Sequence, residues 1–444
     1  MRSKPTDRRR FLRQSAAMAG GLAVAPSIAG VSSGPESTLL AQAGDAGSNP
    51  INSVDAVLYG RRSRFVTTVR PIEGSSSPDG SPPRPSPYRP SARTPIGEQL
   101  GIITPTSLHF TTQHLYGIPD IDPSSHRLLI HGMVERELSF SMDELKRMPS
   151  VSRIHFVECI GNRPNPAGRT VSDTHGRSGC SEWTGVPLSF LLAEVGVKNG
   201  AHWIVGEGSD GGRHGKSVPL AKAMDDVLVA YGQNGEPVRP DHGFPLRLLV
   251  PGMEGIYQVK WLRAIKVTEQ PYLTFQESSR FLHDDPKTQQ NTYLFGPKSV
   301  ITYPSGGQRL MRPGMYTIAG FAWSGGGAIR KVEVSTDGGR TYHEAEIAGP
   351  ALPRAFTRFT YPWKWDGREA VIQSRCVDEK DQQQPTEAEF CQYWGMTRQE
   401  LYRASNTRIG HCNWIQAWRI EATGDVRNGL PPVNVVITDV HEHA

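Results

Sequence analysis

The sequence predicts an α+β domain followed by an all-β sandwich, and three observations carry that expectation. The chain has 444 residues, too many for one ordinary hydrophobic core. Between about Thr104 and Gln270, short strands and helices mix with many Gly/Pro turns, without the regular strand–helix–strand spacing of a parallel sheet. From Ser299 the texture changes to short apolar strands bounded by turns, the pattern of a sandwich.

Composition narrows the function classes. Hydrophobic residues are 37% and charged residues 21%, with a mean hydropathy of -0.44, which excludes a multi-span membrane protein and a wholly disordered chain. The net charge of +5 is local. Setting aside the six Lys/Arg and one Asp of residues 1–29 leaves 43 charges of each sign, so a general nucleic-acid field is excluded. Five cysteines without a CxxC pair argue against a disulfide framework, a zinc finger or a cysteine-bound cluster.

The chain opens with Arg8-Arg9-Arg10-Phe11-Leu12 and a small apolar run from Ala16 to Ala29. That run is too short to span a bilayer and ends in small residues suited to cleavage. It reads as a twin-arginine export signal over residues 1–29, so a periplasmic location and no membrane span are expected. Residues 30–103 read as an N-terminal arm. Its Pro71–Pro95 stretch is too poor in large aliphatics to offset its ordering entropy.

In the first domain, placed at residues 104–295, His126–Gly132 reads as a strand ending in a turn. Ser141 caps a short helix by offering its oxygen to the Glu144 amide. Arg153–Cys159 alternates like a half-buried strand and delivers Cys159 at its end. Pro187–Val195 is a helix with an apolar face of Leu188, Phe190, Leu191, Leu192 and Val195. No GxGxxG joins a strand to a helix, so a nicotinamide site has no support. Cys159 runs into Ile160-Gly161-Asn162, and a Gly two residues after a Cys allows a tight fold with the sulfur facing a cavity. One thiolate suffices for a soft metal centre when a cofactor supplies the remaining ligands.

These segments, in order, resemble the sulfite oxidase family of molybdenum enzymes over roughly residues 104 to 420. Glu158-Cys159-Ile160-Gly161-Asn162 matches that family's Cys-x-Gly-Asn, whose thiolate binds molybdenum beside the dithiolene of molybdopterin. Phe110-Thr111-Thr112-Gln113-His114 stands where the family has an aromatic-x-Arg-Asn-His run contacting the pterin. Asp210 to Pro219 matches its turn before a Ser-Ile-Pro strand, His242-Gly243-Phe244-Pro245-Leu246-Arg247 its His-Gly-Phe-Pro-x-Arg, and Val259-Lys260-Trp261-Leu262 its Val-Lys-Trp-Leu. The resemblance implies a molybdenum–molybdopterin cofactor with Cys159 as sole protein ligand to the metal. It implies Phe110, His114, Cys159, Asp210, Ser217, His242, Arg247, Gln258, Val259 and Lys260 around the cofactor. Trp183 and Arg408 join Cys159 as catalytic residues. Fixed cations and Gly-rich amides at 211–215 are what a pterin phosphate needs.

In the second domain, placed at 296–425 with a tail at 426–444, Met315–Phe321, Lys331–Ser335 and Ala370–Ser374 read as strands. Asp337-Gly338-Gly339 marks a hairpin turn. An immunoglobulin-like sandwich serving as homodimer contact is what the resemblance implies. Cys180, Cys376, Cys391 and Cys412 match no family ligand and are read as structural, with Cys180 close enough to Trp183 to lie near the site.

The departures from the family pattern bear on the substrate. Thr112 stands at the position of the family's sulfite-gripping Arg, and Arg163 is followed by Pro164 rather than a second Arg. A less cationic pocket suits sulfane sulfur carried on a protein better than a small dianion. With no CxxCH in the chain, haem is not expected here. Electrons are expected to pass to a separate c-type cytochrome, with a heterotetramer as one arrangement. Three alternatives stand beside this reading: a sulfite dehydrogenase with a rearranged anion site, a molybdenum reductase, and a non-enzymatic sandwich adhesion protein.

Overall fold

The computed structural model describes residues 60–433, apart from 61, 64, 74–90, 114–116, 275–276, 278–293 and 404–410. The leader, the middle of the Pro-rich arm, His114 and Arg408 therefore lie outside the described residues.

The first domain is built on two sheets. One has the order β2-β1-β10-β5-β6, formed by β1 (Arg127–Gly132), β2 (Leu138–Ser141), β5 (Trp203–Gly208), β6 (Gly215–Pro219) and β10 (Leu262–Thr268). The other has the order β3-β4-β7-β8, with β3 (Val151–Glu158), β4 (Ser178–Pro187), β7 (Leu228–Gln233), β8 (Glu236–Pro237), and β9 (Arg247–Leu249) also paired to β7. β1 and β10 are parallel, and the remaining pairings are antiparallel. Leu128, Ile130, Ile204 and Ile265 from the first sheet meet Val157, Val186, Val229 and Leu248 from the second in one core.

The helices are few and short. In α1 (Met142–Arg147), the Ser141 hydroxyl accepts the Glu144 amide at 3.2 Å while the Glu144 carboxylate accepts the Ser141 amide at 2.7 Å, the capping arrangement expected from the sequence. A similar box between Thr170 and Asp173 starts α2 (Val171–His175). α3 (Leu188–Val195) buries Leu188, Leu191, Leu192 and Val195, and α4 (Leu220–Asp225) follows β6. The α+β expectation is thus met in a mostly β form.

The second domain stacks two antiparallel sheets. One has the order β11-β12-β16-β15, and the other β14-β13-β17-β18-β19. Their strands are β11 (Lys298–Tyr303), β12 (Gly314–Trp323), β13 (Ile329–Ser335), β14 (His343–Glu344), β15 (Glu346–Ile347), β16 (Thr357–Trp365), β17 (Ala370–Asp378), β18 (Ala417–Ile420) and β19 (Val426–Asn428). The expected turn at Asp337-Gly338-Gly339 joins β13 to β14, with both glycines at positive φ. β19 pairs with β18, so the segment expected as a tail begins as the last strand of this sheet. Two short helices, α5 (Glu387–Trp394) and α6 (Arg398–Arg403), interrupt the strands and pack Phe390 and Leu401 around Trp414.

The two domains share apolar packing. Ile96, Phe156, Val171 and Cys180 belong to the same buried cluster as Val300, Ile318, Trp323, Val332, Ile372 and Trp418. This arrangement explains β3. Its last residues are all buried, not alternately exposed, because Val157 faces the first core while Phe156 faces the second. The Phe156 amide also donates to the Arg354 carbonyl at 2.9 Å. Both described ends of the Pro-rich stretch are tied down: Ala92 bridges both Ile72 and Thr111, and Ile96, just beyond it, is fully buried in the shared cluster.

Candidate active site

Cys159 stands at the end of β3, where the chain turns sharply. Its amide donates to the Arg177 carbonyl and its carbonyl accepts the Asn162 amide, both at 2.9 Å. Gly255 presses on this turn from the opposite loop, since a Cβ there would lie 2.6 Å from the Glu158 carbonyl oxygen. Burial raises the pKa of the Cys159 thiol, while the Arg177 charge and the Gly161 amide pull the other way. A bound metal ion would displace the thiol proton, the usual coupling of thiolate ligation to deprotonation.

Cys159 lines a cleft of about 780 Å³ that includes its open mouth. Of the expected residues, Phe110, Cys159, Asp210, His242, Arg247, Gln258 and Lys260 line it. The register of β7 and β9 explains part of this convergence, because Arg247 pairs with Ala230 and its Nη1 donates to the His242 carbonyl at 2.9 Å. Between them Gly243 holds φ at +115°, a backbone that L side chains rarely adopt and glycine adopts freely. Gln258 binds the Val250 amide at 2.7 Å and the Val250 carbonyl at 2.6 Å, fixing the loop that carries Lys260.

Other expected residues sit elsewhere. Trp183 is fully buried behind the wall, its indole N–H donating to the His155 carbonyl at 3.2 Å. The Arg247 guanidinium stacks 4.7 Å from its ring, so its effect on the cleft is to hold Arg247. Val259 packs in the core. Ser217 spends its hydroxyl on the Tyr272 carbonyl at 3.0 Å and its amide on Glu277 at 3.0 Å. Two amides of the Gly-rich turn are likewise committed, because Arg213 and His214 donate to the Asp210 carbonyl and carboxylate. Cys180 is buried in the second core with its thiol pushed up to about 12 by burial, and it accepts the Phe356 amide at 3.4 Å.

Sequence reasoning missed His109, Gln113 and His214 as lining residues. All three lie within or beside the segments that carry the resemblance, and their positions were the available signal. The His109 and His242 rings meet edge to face at 5.1 Å. Lys260 donates to the carbonyls of Thr112 at 3.1 Å and Asp241 at 2.8 Å, and Gln113 donates to the same Asp241 carbonyl at 3.0 Å.

The electrostatics call for an anion. Burial brings the Arg247 pKa down to about 9, and burial with the neighbouring Arg247 charge brings Lys260 down to about 7. The buried Arg247 Nε, His109 Nε2, His242 Nε2 and Thr112 Oγ1 have no hydrogen-bond partner among the described residues. Of these, Arg247 Nε and Thr112 Oγ1 are donors, and buried donors left unpaired are costly. The two imidazoles point Nδ1 at the Phe110 carbonyl and Gln233 Oε1, so their Nε2 atoms donate only when protonated. An anionic ligand in the cleft would favour that state and restore both cations. Among the described residues, no group of three His, Cys, Asp or Glu side chains is placed to hold a metal ion; a cofactor bound through Cys159 would supply a metal's other ligands itself. These residues fit a molybdopterin: Cys159 toward the metal, with Arg247, Lys260, His242 and His109 toward its anionic part.

A pH dependence follows from the buried imidazoles. His109 and His155 are lowered from 6.5 to about 4, chiefly by burial. Above pH 6.5 both rings are neutral whether the chain is folded or not. As pH falls from 6.5 toward 4 the unfolded chain binds protons that the folded one refuses, so up to roughly 3 kcal/mol of stability per ring is lost. Urea midpoints should therefore fall between pH 7 and 4.5, and a flat profile would contradict this.

Comparison with known proteins identifies the family. The oxidoreductase molybdopterin binding domain matches residues 115–276, and the Mo-co oxidoreductase dimerisation domain matches residues 289–408. The chain is 36% identical to mitochondrial sulfite oxidase of Mus musculus, over 59% of this chain and 52% of that protein. It is 32% identical to sulfite oxidase of Gallus gallus, over 72% of this chain and 79% of that one. The solved sulfane dehydrogenase SoxCD from Paracoccus pantotrophus superposes with a TM-score of 0.76 at 35% identity, covering 86% of this chain and 95% of that chain. The chain spans about half the length of the mammalian relatives it matches. A cleft with one cysteine and a cation pair, backed by a second β domain, defines a molybdopterin-dependent oxidoreductase. The chain belongs to the sulfite oxidase family of these enzymes.

Proposed function

We propose that the protein oxidises sulfane sulfur carried on a partner protein and passes the electrons to a separate c-type cytochrome. The observation that carries this reading is Thr112, which lines the cleft where the family's sulfite-gripping Arg is expected. The lining cations, Arg247 and Lys260, are the ones that an anionic cofactor would occupy. A tethered, less charged sulfur needs no anion-gripping cation at position 112. The likeness to the sulfane dehydrogenase over 95% of its chain supports the same reading.

When bound, the molybdenum cofactor supplies two-electron oxygen-atom transfer at the metal. For each oxygen added to the outer sulfur, one water is consumed, and two protons and two electrons leave. The chain's own part is placement. Cys159 would hold the metal side, and Phe110 and Ile160 supply apolar lining. Trp183 fixes the Arg247 plane, and Arg408, outside the described residues, would stabilise charge developing on the oxidised sulfur.

The same reading includes a periplasmic location through the twin-arginine leader and an immunoglobulin-type second sandwich joining two copies. It also includes a heterotetramer with the cytochrome and no haem on this chain. Among the described residues no helix is long and apolar enough to cross a membrane.

Free sulfite is the second reading, favoured by the 79% coverage of Gallus gallus sulfite oxidase. Protein recovered from the periplasmic fraction should reduce cytochrome c faster with a persulfidated carrier protein than with sulfite. Fast turnover with sulfite and none with the carrier would replace the first reading by the second.

Arg247→Ala tests the cofactor placement. Each charge-assisted bond to a buried anion is worth about 1.5–3 kcal/mol, so cofactor content should fall together with rate. A fully loaded Arg247→Ala protein would count against this placement.

A further inference from the structure

We infer that Lys298 and Trp323, on the second domain, are positioning residues for the Cys159 sulfur and act through Glu158 and Asn162. The inference rests on Cys159 being the metal ligand, as proposed above.

Glu158 immediately precedes Cys159 and is 0% exposed; Lys298, on β11, is 1% exposed. One Glu158 carboxylate oxygen, Oε1, accepts from both Lys298 Nζ and the Asn162 side-chain amide, the latter at 2.8 Å. The other, Oε2, accepts the Trp323 indole N–H from β12 at 2.7 Å. Lys298 Nζ also donates to the Asn162 carbonyl at 2.8 Å, and the Asn162 side-chain oxygen accepts the Arg177 amide at 2.9 Å. Donors from β11, β12 and the turn itself therefore converge on one carboxylate. Asn162 closes the same turn through the Cys159 carbonyl.

Stability alone is a poor account of this network. A buried ion pair is often replaceable by apolar residues of similar volume at no cost. What an apolar pair cannot do is fix direction. The carboxylate fixes the backbone one residue before the sulfur, and the four Asn162 bonds fix it three residues after. Displacements below 1 Å at such a ligand are enough to change reactivity. The second domain thus serves as the anvil for the metal ligand, independently of any role in joining two copies.

The test compares holoenzymes. Trp323→Phe keeps the ring and removes one N–H; Glu158→Gln/Lys298→Met removes both charges while leaving comparable volume. Both variants should keep the wild-type circular dichroism and bind molybdenum. Both should shift the Mo(V) electron paramagnetic resonance signal and the thiolate-to-metal absorption band. Their kcat should fall by about 10- to 100-fold, the range for partners that orient a metal ligand, with KM little changed. Wild-type spectra and kcat in both folded variants would overturn the inference. The spectra need no substrate, so they decide it even if the wild-type enzyme turns over neither sulfane nor sulfite and the functional reading fails.

Discussion

Cys159→Ser is expected to give a folded protein that has lost turnover. Serine fits the same space, and the bonds that shape the turn use the Cys159 backbone, its amide to Arg177 and its carbonyl to Asn162. The change falls on the ligand atom. A hydroxyl is a harder and far less acidic donor than a thiol, so the soft thiolate that a molybdenum–dithiolene centre would share is gone. The fall in kcat should exceed the roughly 10- to 100-fold that follows from removing an outer partner of a metal ligand. Steady-state rates normalised to molybdenum content measure it, with circular dichroism to confirm the fold. Undiminished activity would remove Cys159 from the metal.

Lys298→Met alone carries the largest expected stability effect. It leaves Glu158 buried and charged with its cation gone, a situation that typically costs about 3–5 kcal/mol. A cooperative unit of roughly 350 residues loses about 1.4 °C of melting temperature per kcal/mol, so a fall of roughly 4–7 °C is expected. Adding Glu158→Gln should recover part of it, because the buried charge is gone, although one amide oxygen can accept from Trp323 or from Asn162 but not from both. A Lys298→Met protein that melts within a degree of the parent would show that Glu158 does not depend on this cation.

Much of the cleft was legible because its residues lie in short segments whose order and spacing are local properties. Phe110, Asp210, His242, Arg247, Gln258 and Lys260 are brought together as expected. What the sequence could not show was depth. Trp183 alternates correctly on β4, yet only the docking of Arg247 over its ring decides that it backs the wall. Phe156 and Val157 look like one inward and one outward residue. Both are inward because a second core, formed by strands far along the chain, covers the other face. The Glu158–Lys298 pair spans 140 residues, a separation that no spacing argument reaches.

The missed helices are a different matter. Thr386 and Glu389 form a capping box at the start of α5, and Thr397 and Glu400 make the same exchange ahead of α6. Both signals are four-residue patterns present in the sequence. An all-β expectation for that region outweighed them.

Two sequence domains do not make two separable halves here. Phe156, Val171 and Cys180 are buried against Trp323, Ile318 and Trp418, so cutting the chain near residue 296 would strip one face of β3 and β4 and expose Phe156 to water. Calorimetry would then see a single cooperative unit, the behaviour of elements that share one core. A proteolytic nick or a destabilising change in the second sandwich would be felt first as a loosened cysteine turn. The metal site could be emptied by damage that never touches the first domain.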